Sequence, residues 1–503
     1  MRSVELALGI RNTVEDYDTH LLYATRLVLR NILRKEEVMK TVAAKQWNER
    51  DAVHLSDVMM GVASSDAGVF LYRYISQYKP DDAKAPAIYQ HIARFAPSAD
   101  LDSTIKIAMN AQRPDTASLL IFQGIQQGIE KKGGKESAQL TLWGKSLAES
   151  VLQKYPFDKS LPLSIVRLQT FAADVAGEYK LKSVAPALEA IAKSASTSDL
   201  KLTGEDLVDE LVDVKAAAVK ALIKVDPSKG SVVAQRLLSD KNTDEYFKNV
   251  LGRMLGEFPG KVVNEILKSI KNATPDLQNN MALTLAGTSE GKDILFQQVK
   301  NKEMFPRILL QPRVKERILM GITPSQKKIF EELTSGISPI DEERQKEIYD
   351  RLVELDKAMQ SNPPSVDSGK VVFMQNCSMC HSIAEEGGSI GPNLDGVSQW
   401  GSKSLAEKIL DPNRNVSENF RTYTIKMKDG KVSTGLYRRE EGAVIIFADL
   451  TGQEFSVSKK DIAEQTASKL TLMPDNFRER LTQKNFNALI RFLLDPKKNL
   501  EKK

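Results

Sequence analysis

The sequence predicts a mostly α chain in two parts. Residues 1–340 read as an N-terminal α-solenoid, and residues 367–496 as a smaller α domain carrying an antiparallel β insertion at about 421–457. Three observations predict this. Apolar residues recur at helical spacing through the first 340 residues. Strand-like alternation of period two is confined to the C-terminal part. Aromatic residues are only 6%, which suits helical repeats better than an all-β fold. At 503 residues the chain exceeds one ordinary core, and 27% charged with 41% apolar residues is a globular composition.

Taken in order, Asp18-Thr19 opens an amphipathic helix through Leu21, Leu22, Ala24, Thr25, Val28, Leu29 and Leu33. Further on, Asp213, Asp244 and Asp276 each read as a helix start, 31 and 32 residues apart. A second, shorter helix fills each period, at Val232 to Leu238 and Val262 to Ile270. A period near 30 with two helices is the pattern of an α-solenoid. Asp213-Val214-Lys215 with Ala218-Val219 and Ala221-Leu222 resembles the second helix of a HEAT repeat.

Residues 341–366 form a charged helix and a linker, broken at Ser361-Asn362-Pro363-Pro364-Ser365 because proline lacks the amide donor. A helix from Ser368 to Asn376 follows, capped by Asp367 or Ser368. After a Gly-rich loop, residues 387–394, comes a helix at about Ser404 to Leu410. Tyr423, Ile425 and Met427 then alternate with Thr422, Thr424, Lys426 and Lys428. Asp429-Gly430, Glu441-Gly442 and Thr451-Gly452 are turns between short strands ending near Val457. A helix from Thr482 to Leu494 closes the domain.

The chain's only two cysteines stand in Cys377-Ser378-Met379-Cys380-His381. C-x-x-C-H is the attachment site of a c-type haem: the thiols add across the vinyl groups and the histidine binds iron from one side. One motif implies one covalent haem c per chain. An electron carrier needs a second axial ligand, and methionine is the usual one. Met427 and Met473 are the methionines that follow His381. Met427 falls on a strand's apolar face and reads as core. Met473 stands in a loop before Pro474, which holds the backbone extended, and it reads as the iron ligand. Gly369 and Phe373 share a helix face and read as contacts for the last helix through Ile490, Phe492 and Leu493.

Residues 365–495 resemble a class I cytochrome c. More narrowly, they are similar to the haem-binding domain of large multidomain proteins of planctomycetes and related bacteria. The matching stretches are Gly369 to His381, Gly391-Pro392-Asn393-Leu394, Ile409 to Asn413, Phe420 to Leu436 and Leu472-Met473-Pro474. The resemblance implies that Gly391, Pro392 and Leu394 belong to the haem pocket, and that the Pro392 carbonyl accepts a hydrogen bond from His381. Residues Asp18 to Arg30 likewise resemble the HEAT-like region that precedes such domains. A dehydrogenase-like propeller comes first in many of them, and this chain has no all-β region before its helices. Any dehydrogenase activity would then lie in a partner or upstream.

Other chemistry lacks support. Zinc at Cys377, Cys380 and His381 would need a fourth ligand, and His20, His54 and His91 read as surface or satisfied helix residues. No βαβ surround suggests a thioredoxin-like thiol pair, and phosphate-loop, zincin and serine-hydrolase motifs do not occur. Net charge is only +5, which argues against nucleic acid, and no apolar run is long enough to span a membrane. The first ten residues are too short and acidic for an export signal, whereas c-type haem is attached outside the bacterial cytoplasmic membrane. A periplasmic or exported protein is expected, with sequence upstream of Met1 or a misplaced start. The expected function is one-electron transfer, with a redox partner such as a dehydrogenase and a protein partner on the repeats. The alternatives are a redox or gas sensor, an interaction scaffold, and a peroxidase-like enzyme should Met473 not ligate iron.

Overall fold

In the computed structural model, all residues are described except 16, 158–160, 195–204, 256, 257, 259, 268–274, 336, 338, 339, 451 and 495–503. The chain is mostly helical and divides into two compact units, residues 1–234 with 442–444, and residues 235–441 with 445–503. The boundaries expected at 340 and 366 fall inside the second unit. Among the described residues, no helix is long and apolar enough to cross a membrane.

In the first unit, helices pack on the helix two further along as well as on their neighbours. Ala85–Phe95 lies on Asp115–Lys132, and Leu163–Glu178 on Glu205–Val225. The Thr19–Leu33 helix starts where its cap predicts, with the Asp18 carboxylate accepting from the Leu21 amide at 3.0 Å. Its buried stripe is narrower than expected: Thr25, Leu29 and Leu33 are buried, while Leu21 and Val28 are exposed. Asp213 does not start a helix. It sits inside Glu205–Val225, whose continuous apolar stripe carries the helix past it, so the even spacing of 31 and 32 residues is lost. His91 is also not as expected: it is buried, and its Nε2 finds no partner.

In the second unit, Glu245–Met254 packs on Pro275–Leu285, and Ser289–Lys300 on Pro324–Thr334. Asp244 caps its helix by accepting from the Phe247 amide at 3.2 Å. Asp276 falls one residue inside the helix that Pro275 begins. The second helix expected at Val262 to Ile270 is Gly260–Leu267, and residues 268–270 lie outside the described set. The charged helix spans Ile340–Ser361.

The next helix, Val366–Asn376, is capped by Ser365, not by Asp367 or Ser368; the Ser365 hydroxyl accepts from the Ser368 amide. It crosses Gln483–Leu494, and Phe373 meets Phe492 with ring centroids 5.5 Å apart. Only glycine fits that crossing, since a Cβ on Gly369 would lie 2.1 Å from the Ala488 carbonyl oxygen.

The small strands are β1 (Ser382–Ile383) and β2 (Glu386–Gly387), an antiparallel pair. The larger sheet comprises β3 (Arg421–Met427), β4 (Val432–Glu441), β5 (Val444–Ala448), β6 (Glu454–Ser458) and β7 (Ile462–Thr471). Its order is β6-β5-β4-β3-β7, so β7 is an edge strand paired antiparallel with β3. The insertion therefore runs to 471, beyond the expected end at 457. The alternation in β3 is also broken, because Thr422 and Thr424 are as buried as Ile425. Gly452 has the positive φ of a turn residue, and Thr451 lies outside the described residues.

Candidate functional site

The Val366–Asn376 helix delivers the first cysteine. At its last turn the Cys377 amide donates to the Phe373 carbonyl at 2.8 Å, and the chain stays coiled. The Cys380 and His381 amides both donate to the Cys377 carbonyl, at 3.1 and 2.9 Å. The Gly-rich loop is laced back onto this turn: the amides of Gly388, Gly391 and Leu394 donate to the carbonyls of Ser378, Cys380 and Ser382, each at 2.7 Å. Gly391 thereby lies against the imidazole, where a Cβ would come within 2.7 Å of the His381 ring.

His381 Nδ1 stands 2.9 Å from the Pro392 carbonyl oxygen. A carbonyl only accepts, so Nδ1 must carry the proton, which leaves the Nε2 lone pair for a metal. Burial pushes the His381 pKa down, partly opposed by the Pro392 bond, so the ring is held in the neutral form that ligates. Cys377 and Cys380 are unpaired, half-buried thiols. Burial raises both, Cys377 up to about 12.

All seven residues singled out from the sequence line one cavity of about 330 Å³: Cys377, Cys380, His381, Gly391, Pro392, Leu394 and Met473. Phe373, Ile409 and Leu493 extend its wall from the helical side, and Phe420, Leu436 and Leu472 from the sheet side. The lining is predominantly apolar, as a bound macrocycle requires. Met427 is elsewhere, packed on the Ile425, Ile445, Phe447 and Val457 cluster of the sheet. Met473 reaches the cavity because β7 ends two residues before it.

Several residues around the site escaped sequence reasoning. Asn413 accepts the Thr471 amide at 3.0 Å and Arg313 donates to the Thr471 and Met473 carbonyls. Buried Arg344 pairs with Asp411 at 3.1 Å and lies 3.5 Å from Asp475. Asn413 and Asp411 stand in a matching stretch of the sequence, which could have flagged them. Nothing local marks either arginine.

The thiol pair, the metal-competent imidazole nitrogen and the apolar cavity suit a covalently bound haem. Among the described residues, no three His, Cys, Asp or Glu side chains group to hold a bare metal ion. What these features define is a haem-binding site. Residues 366–443 match the family model described as Cytochrome c. The chain thus contains a haem-binding cytochrome c-like domain, which supports haem-based electron transfer in general. No curated protein matches it.

Proposed function

We propose that this chain is a monohaem c-type cytochrome that passes single electrons. In this reading Cys377 and Cys380 would anchor the haem, and His381 and Met473 would hold its iron. The observation that carries it is the convergence of these four side chains on one apolar cavity. When bound, haem supplies reversible Fe(II)/Fe(III) exchange. The chain's own residues do the rest. Pro392 holds the Nδ1 proton and so orients the ring and keeps Nε2 basic. Ile409, Leu436 and Leu472 exclude water and lower the local dielectric. With Met473 as well as His381 on the iron, small-molecule catalysis would be disfavoured.

The finer context belongs to the same proposal. Residues 1–340 act as a HEAT-like helical-repeat scaffold, residues 341–366 as helix and linker, and residues 367–496 as the haem domain. A redox protein, for instance a dehydrogenase, exchanges electrons with the haem, and a second protein binds the repeats. Covalent haem attachment favours a periplasmic or exported placement. The test is a visible spectrum of protein produced with a c-type maturation system. The expected result is a covalent low-spin haem whose methionine-to-iron band vanishes in Met473→Ala. A high-spin haem in the unmutated protein would overturn the carrier and favour a sensor or peroxidase-like enzyme.

A further inference from the structure

The Pro312–Leu319 helix lies well before residues 366–443, yet it reaches the methionine segment. The Arg313 Nη2 donates to the Thr471 carbonyl at 2.6 Å and to the Met473 carbonyl as well. Arg313 is only 7% exposed. Burying a guanidinium is costly unless its donors are used, so this grip is a committed contact and not a surface accident.

The sheet explains why a side chain is needed there. β7 is an edge strand, and its outer backbone groups have no neighbouring strand to pair with. In a strand the N–H and C=O of one residue face the same edge. Asn413 takes the Thr471 amide, and Arg313 takes the Thr471 carbonyl and the Met473 carbonyl just beyond the strand. The arginine's own mount is fixed. One turn on, Arg317 donates through Nε to the Thr434 hydroxyl at 3.0 Å and through Nη1 to the Leu283 carbonyl at 2.9 Å. The helix is therefore anchored on β4, and Arg313 spans from it to the methionine.

We propose that Arg313 is a positioning residue for the haem site: it fixes the backbone at Met473 and places a buried positive charge beside the attachment motif. This rests on the reading of Met473 as an axial ligand. Arg313 lies close enough to Cys380 for its positive charge to act at that sulfur, and Asp475 and Glu316 offset part of that charge. A fixed cation there disfavours the more positive, oxidised iron, so it raises the reduction potential.

The full chain carrying covalent haem is compared with Arg313→Gln and Arg313→Lys by three readouts. These are the methionine-to-iron band, the reduction potential, and amide exchange of the peptide covering residues 470–473. In Arg313→Gln the band weakens, the equilibrium constant for reduction falls several-fold, and exchange at Leu472 and Met473 quickens about tenfold or more, as expected for losing two charge-assisted bonds. Arg313→Lys keeps the charge but not the longer, planar guanidinium whose Nη2 reaches both carbonyls: the potential recovers while exchange stays fast. Should Arg313→Gln fail to fold, this lysine variant carries the test. Band, potential and exchange unchanged in the variants would overturn the proposal. A methionine band missing from the unmutated protein would overturn the Met473 reading itself. Exchange would then still decide whether Arg313 holds the segment.

Discussion

Gly391 is where a single atom decides the site. A methyl group there would press into the His381 ring at 2.7 Å, so the imidazole must rotate or the loop must lift. Gly391→Ala is expected to retain covalent haem, because both cysteines are untouched, but to lose the low-spin spectrum of the unmutated protein; visible spectroscopy checks this. His91 in the first unit gives a pH prediction. Burial and nearby Arg94 lower its pKa to about 4, against about 6.5 in an unfolded chain. The unfolded state therefore takes the proton first. The stability held by neutral His91 is complete above about pH 6.5 and is lost progressively as the pH falls from there to about 4, up to about 3 kcal/mol. Urea titrations at pH 7 and pH 4.5 of the protein and of a His91→Gln variant read this difference, which should shrink in the variant. At this scale the sequence was legible where chemistry fixes spacing, as in Cys377, Cys380 and His381. It was illegible at Arg313, whose partners are backbone carbonyls 158 and 160 positions away. A backbone acceptor leaves no mark on residue identity.

Among the elements, the helix crossing and the edge strand matter most. Gly369→Ala would push a methyl group onto the Ala488 carbonyl, which belongs to a helix backbone and cannot yield cheaply. A loss of about 1–3 kcal/mol in denaturant unfolding is expected. Phe373→Ala, which empties a fully buried ring site against Phe492, should cost about 3–5 kcal/mol in the same measurement. The Gly369 and Phe373 spacing foretold this crossing because helical periodicity is a strong signal. The strand β7 was missed because it is mostly exposed and polar, with Glu464, Gln465, Thr466 and Lys469 and no apolar alternation. Polar, charged edges protect a sheet from further pairing, and the same property hides them from a pattern search. Asp213 failed for the opposite reason: a residue suited to capping sits inside a longer helix, and tertiary burial of Val214, Ala218 and Leu222 outweighs its local preference.

Across the second unit, Arg344 joins the Ile340–Ser361 helix to the loops bearing Asp411 and Asp475. All three groups are well buried, so Arg344→Met should strip Asp411 and Asp475 of their ion-pair partner and cost about 3–5 kcal/mol. Asp411→Asn and Asp475→Asn added together should recover part of that loss in thermal or urea unfolding. A chain beginning at 340 would keep every cavity-lining residue but lose the Pro312–Leu319 helix. Its spectrum should resemble that of Arg313→Gln. The mostly helical character and the position of the haem motif were legible at this scale because periodicity and motif spacing are local. The contacts of Arg313, Arg317 and Arg344 with the haem region were not, because their partners lie far away in the sequence. The most direct test of a monohaem electron carrier is an optical redox titration of the fully matured chain. A single reversible one-electron transition of a low-spin haem is the predicted result. A chain that acquires no covalent haem, or a haem that stays high-spin and does not cycle reversibly, would contradict it.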